Sequence, residues 1–180
     1  MQIRKGTEAD IEALAALYDG LNDYLSCHVN YPGWIKGIYP TREDAARGVE
    51  EGCLFVAVAD GSIAGTVILR HRPEEGYRKV DWKILLDDQE IFVVYTLAVH
   101  PRYLHMGVGK ALMEFVLTYA SRMHMKAVRL DVYEKNLPAI CLYEEFGFQY
   151  MATVDLGYGM YGLDRFRLYQ RLIPSQPEDA

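Results

Sequence analysis

Apolar positions in this chain follow two periods. Ile11, Leu14, Ala15, Tyr18, Leu21 and Leu25 recur every three or four residues, which predicts a core-facing helix to about residue 25. Thr7 offers its N-cap, with Asp10 three residues on. Before it, "MQIRKG" is short and partly alternating, as an opening strand is. Thr41 starts a second helix with Asp44 in its first turn, and Gly52 ends it. "CLFVAVADGSIAGTVIL" is two apolar runs around Asp60-Gly61, a hairpin signature. "IFVVYTLAVHP" is an almost unbroken apolar run closed by proline, the pattern of a central strand buried on both faces. Val108, Leu112, Phe115, Val116, Tyr119 and Met123 then make one stripe of a long helix. "AVRLDVY" is another strand, "NLPAICLYEEFGF" a short helix capped by Asn136 and stopped by Gly147, and two further strands are expected near 148–155 and 164–172.

Two stretches lack a period. Residues 24–40 are rich in aromatics, Gly and Pro, with Tyr24, Tyr31, Trp34 and Tyr39 crowded together. Residues 71–90 are polar and irregular, with a short strand expected near "KVDWKILL". No repeat or linker interrupts the order, which predicts a single α/β domain over 1–173 and a disordered tail over 174–180.

Composition narrows the function. A chain of 180 residues with 51% hydrophobic content holds one substantial core. Net charge −6 argues against a nucleic-acid groove, and Arg70, Arg72, Arg78 and Lys79 are interrupted by Pro73, Glu74 and Glu75, as on a solvated surface. The three cysteines, Cys27, Cys53 and Cys141, are odd in number and widely spaced, so neither a disulfide framework nor a zinc site is supported; reduced thiols in the cytoplasm are expected. The N-terminus has no apolar signal region, and no run approaches the ~20 apolar residues of a membrane helix. His100 and His105 lack a third ligand, so no metal is expected.

The candidate chemistry lies in "RYLHMGVGK", residues 102–110. A nucleotide P-loop would need glycine at Leu104 and Ser or Thr at Ala111, and a dinucleotide fingerprint would need Gly or Ala at Leu112. Both patterns fail. What remains is a strand, a tight turn and a helix that opens on Gly107 and Gly109. Main-chain N–H groups of such a turn face outward, the helix dipole adds positive potential, and glycine lets an anion approach. Lys110 adds charge nearby. Taken alone, the glycines serve equally well as a tight turn that lets the helix pack on the sheet.

"LAVHPRYLHMGVGKALM" resembles the acetyl-CoA motif of the GNAT N-acetyltransferase superfamily, V-x-P followed by [QR]-x-x-G-x-[GA]. Val99, Pro101, Gly107 and Gly109 match; Leu104 stands where the family has Gln or Arg. "NLPAICLYEEFGF" resembles the later family segment N-x-x-A-x-x-L-Y-x-x-x-G-F, through Asn136, Ala139, Leu142, Tyr143, Gly147 and Phe148. The resemblance implies a mixed, mostly antiparallel sheet flanked by helices on both faces and splayed between its fourth and fifth strands. It implies acetyl-CoA as cosubstrate, held by backbone groups of Leu97, Ala98 and Val99, by the turn Leu104, His105, Met106, Gly107, Val108, Gly109 and Lys110, and by Asn136, Ala139 and Tyr143. The implied reaction is direct attack of a small-molecule or peptide amine on the thioester, with Tyr143 as general acid and Glu90, or a water chain, as the base route. A homodimer is admitted by the same resemblance. A non-catalytic acyl-CoA-binding or sensing module on this fold is the competing reading.

Overall fold

The computed structural model describes residues 1–174. In chain order the strands are β1 (Gln2–Lys5), β2 (Leu54–Ala59), β3 (Ser62–Arg70), β4 (Ile91–Val99), β5 (Ala127–Tyr133), β6 (Gln149–Val154) and β7 (Phe166–Leu172). The helices are α1 (Ile11–Cys27), α2 (Arg42–Glu50), α3 (Val108–Arg122) and α4 (Leu137–Glu145). The strands form one mixed sheet ordered β1-β2-β3-β4-β5-β7-β6, with β4 and β5 parallel. The expected tail falls largely on residues 175–180, outside the described residues.

The chain gathers into two compact units: Met1–Leu69 with Tyr95–Met113, and Arg70–Val94 with the chain from Glu114 on. In the first, β1, β2 and β3 pair antiparallel as a meander, and the Asp60-Gly61 turn takes positive φ at both residues (50° and 74°), as the hairpin signature requires. Its core includes Leu14, Leu17, Tyr18, Leu21 and Leu25 of α1, Ala45 of α2, Leu54, Val56 and Ile68 of the meander, and Ala98 of β4. Thr41 caps α2: its hydroxyl accepts from Asp44 N–H at 3.4 Å, and its own N–H donates to the Asp44 carboxylate at 2.8 Å.

Thr7 does not open α1 directly. A 3-10 turn, Glu8–Asp10, comes first. Asp10 is buried there and accepts from both Arg4 terminal nitrogens at 2.7 and 2.8 Å and from Thr7 N–H at 2.8 Å. The Arg4 guanidinium, and after it Thr7, hold the Asp10 carboxyl well below the usual carboxylate range against the opposing effect of burial.

In the second unit β5 and β7 pair residue for residue from Ala127–Leu172 to Tyr133–Phe166, and β6 completes the edge. The short strand expected near Lys79–Leu86 does not form. The chain makes 3-10 turns at Glu75–Lys79 and Asp88–Glu90 with irregular backbone between them. Side-chain anchoring replaces strand pairing: Trp82 Nε1 donates to Tyr77 O at 2.9 Å, Gln170 Nε2 donates to Trp82 O at 3.1 Å, and the Arg129 guanidinium stacks 4.1 Å over the Trp82 ring. Trp82 is a buried plug while Leu85 is 98% exposed, so the segment has no alternating face to lay on a sheet.

Candidate active site

The first unit builds the turn that the glycines announced. β4 ends at Val99, and His100 N–H donates to Ala64 O of β3 at 2.9 Å. Pro101–Tyr103 form a 3-10 turn, with the His100 ring nitrogen Nδ1 accepting from Arg102 N–H at 3.1 Å. That acceptor role requires an unprotonated Nδ1. Burial, and then the Arg102 charge, push the imidazole below its ordinary value, which fits that state. Tyr103 hydroxyl reaches Ala59 O at 3.4 Å and ties the turn to the hairpin.

His105 and Gly107 both have positive φ, 62° and 80°, on either side of Met106. A Cβ at Gly107 would meet nothing within 4 Å, so the glycine is needed for its backbone angle and leaves open space outside. α3 starts at Val108, and its first closing bond runs from Ala111 N–H to Gly107 O at 3.0 Å. The N–H groups of Val108 and Gly109 precede that bond and so have no carbonyl partner within the helix. They sit at its positive end, the arrangement that receives phosphate. Two of the expected donors are used inside the turn instead: Leu104 N–H bonds Pro101 O and Met106 N–H bonds Tyr103 O, each at 3.3 Å. Outward-facing donors are therefore to be sought at residues 107–109 more than at 104 and 106.

Gly65 explains how α3 comes so close to the sheet. A Cβ there would lie 2.8 Å from both Ala98 O and Val108 Cγ1. Its absence lets the end of β4 and the first turn of α3 pack directly on β3.

β4 itself is irregular where the resemblance places the carrier. Its parallel register with β5 runs from Ile91–Ala127 to Val94–Leu130, while β4 continues to Val99 and β5 to Tyr133 outside that register. Just beyond the last pair, Thr96 has φ 43°. A left-handed angle costs an L-residue about 1–2 kcal/mol, and a β-branched side chain makes it a true outlier. Such strain persists only where surrounding contacts over-determine it, and it re-aims the neighbouring peptide groups. Leu97, Ala98 and Val99 follow this kink. Nothing in the sequence marks it, because threonine is an ordinary strand residue.

The second unit holds the other expected residues. Asn136 caps α4, its Oδ1 accepting from Ala139 N–H at 3.4 Å. Ile140 and Tyr143 form the buried face of α4; Tyr143 is 6% exposed and its ring lies 6.0 Å from that of Phe148. Cys141 is exposed, on a different face. Glu90 lies at the opposite end of β4 from the Pro101–Gly107 turn. Its carboxylate accepts from Asp87 N–H at 2.9 Å and closes the 3-10 turn before the strand.

One carboxyl in this unit escaped the sequence reading. Asp131, on β5, accepts from Tyr77 hydroxyl at 2.8 Å. Burial pushes its carboxyl up to about 6; the Tyr77 bond opposes the rise and the Glu74 charge adds to it. Tyr158 is likewise raised to about 12, by burial and then by Glu74 and Asp131. "LDVY" reads as plain strand, and only the fold brings residues 74, 77, 131 and 158 together. Because the folded value lies above the unfolded ~3.9, the native state binds the extra proton and stability falls as pH rises from about 4 to 6. Asp131→Asn keeps the acceptor for Tyr77 and removes that loss. It is expected to raise stability at pH 7 by about 1–2 kcal/mol and to flatten the slope, read by urea unfolding at pH 4.5 and 7.

The mixed sheet with one parallel pair, a kinked fourth strand and a glycine turn at a helix N-terminus define an acyl-CoA N-acyltransferase fold. The sequence profile of the acetyltransferase (GNAT) family matches residues 14–148, and the chain belongs to that family. It is 33% identical over 76 residues to the ribosomal protein bS18-alanine N-acetyltransferase of Escherichia coli, covering 42% of this chain and 49% of that protein. The chain spans less than half the length of the curated relatives it matches. Among solved structures, a GNAT acetyltransferase of Streptococcus agalactiae superposes with TM-score 0.78 at 18% identity over 97% of this chain and 96% of that one. YncA of Salmonella typhimurium, solved with its cofactor acetyl-CoA, superposes with TM-score 0.71 at 16% identity over 100% and 99%. At these identities the structural likeness speaks for the fold.

Proposed function

We propose that this chain transfers an acetyl group from acetyl-CoA to an amine of a small molecule or a peptide, by direct attack within a ternary complex. The observation that carries the reading is the open, left-handed turn at Gly107 leading into the N-terminus of α3, within a chain of this family. That turn fits a diphosphate, and the backbone of Leu97, Ala98 and Val99 fits the amide-bearing arm that follows it.

The neutral amine attacks the thioester carbonyl carbon, and the carbonyl oxygen becomes an oxyanion. Leu97 N–H donates to that oxyanion. The C–S bond breaks, and coenzyme A leaves as a thiolate that takes the Tyr143 hydroxyl proton; the tyrosinate then regains a proton from water. The proton lost by the amine departs through water or through Glu90. Asp87 N–H already holds the Glu90 carboxylate, which favours the water route.

Calorimetry with acetyl-CoA tests the carrier, and thiol release on a panel of amines, amino sugars, polyamines and peptide N-termini tests the transfer. Saturable binding with thiol release on at least one acceptor is expected. Binding without release for every acceptor would leave a sensing module instead.

A further inference from the structure

Thr96 is a left-handed, β-branched residue inside a strand, and the chain must hold it there. The other described non-glycine residues with positive φ, namely Asp60, Lys83, His105 and His124, lie in turns or bends. The hydroxyls of Thr96 and Tyr39 share a hydrogen bond across 57 residues of chain. Tyr39 belongs to the aperiodic aromatic stretch after α1, and that stretch is built around it. Its N–H donates to Ile35 O at 3.0 Å, its carbonyl accepts from Asn22 Nδ2 at 3.3 Å, and its ring meets Trp34 edge-on at 5.6 Å. Asn22 is 2% exposed on α1, so the anchor is fixed to the core of the first unit.

The consequence follows from backbone geometry. A left-handed residue in a strand turns the adjoining peptide groups out of their ladder directions. Here it does so immediately before Leu97, beyond the last β4–β5 pair at Val94. A strand relaxed to ordinary angles would point those donors elsewhere. A long-range hydroxyl bond to the one strained residue of the strand is a contact that opposes such relaxation.

We propose that Tyr39 is a positioning residue that clamps Thr96 in its left-handed conformation, so presetting the β4 backbone to receive the acyl end and arm of the coenzyme. The role rests on the acetyl-CoA reading above. It gives the aromatic stretch a task in carrier binding. Tyr39 touches neither the carrier nor the acceptor in this assignment and acts through Thr96.

Titration calorimetry with acetyl-CoA tests it in the full chain, with ADP as a probe that keeps the diphosphate and lacks the arm. Tyr39→Phe and Thr96→Val are each expected to weaken acetyl-CoA roughly three- to tenfold, the range one net hydrogen bond supplies. The double variant should be no weaker than either single one, since both remove the same contact. Thr96→Ser keeps the hydroxyl and should keep most of the wild-type affinity. ADP affinity should be unchanged throughout. Wild-type affinity in Tyr39→Phe, additive losses in the double variant, or equal losses for ADP and acetyl-CoA would each overturn the clamp and leave the acetyl-CoA reading standing. A wild-type chain that gives no heat with acetyl-CoA would overturn both.

Discussion

Tyr143→Phe is expected to slow thiol release about a hundredfold at saturating acetyl-CoA and acceptor, the lower end of what a positioned general acid contributes. The lower end applies because a thiolate of pKa ~8.5 is already a fair leaving group. Packing is untouched by the change: the ring stays in the α4 core beside Phe148, and only the hydroxyl oxygen is lost. Acetyl-CoA affinity should therefore stay within about twofold, and the loss should appear in kcat, as it does for an interaction made only in the transition state. Steady-state rates with a responsive amine, beside calorimetry on the same variant, measure both quantities. An undiminished rate would remove Tyr143 from the chemistry and leave it a core aromatic.

Gly65→Val should produce the largest loss of stability. The new Cβ would sit 2.8 Å from Ala98 O, a main-chain atom that cannot rotate aside, and 2.8 Å from Val108 Cγ1, with Leu112 Cδ1 at 3.2 Å. Relief requires β4 or the start of α3 to move away from β3. Overpacking of this kind costs about 1–3 kcal/mol, and the backbone contact places this case at the upper end. For a chain of this length that lowers Tm by roughly 5–10 °C. The atoms displaced are those that present the 107–109 turn, so acetyl-CoA affinity should fall in the surviving folded protein. Differential scanning calorimetry and titration calorimetry read the two effects. A variant with unchanged Tm would show that the β3, β4 and α3 contact is looser than it appears.

Most elements were legible because their signals are local. The helical stripe from Ile11 to Leu25, the Asp60-Gly61 hairpin and the Thr41–Asp44 capping box each depend on residues a few positions apart, and each formed. The irregular stretch before β4 was not legible. Its apolar residues suggested a strand, but Trp82 is anchored by Gln170 and Arg129, far along the chain. The turn at Gly107 was legible through its glycines; that Leu104 and Met106 N–H groups are turned inward was not.

The amino-acid order by itself determined the succession of strands and helices and the glycine turn, since backbone preference and hydrophobic period act over a few residues. Only the tertiary structure decided the kink at Thr96, its hydroxyl partner Tyr39, and the raised carboxyl of Asp131. Those depend on groups tens of residues apart meeting in space, and desolvation and backbone strain exist only once the chain has packed.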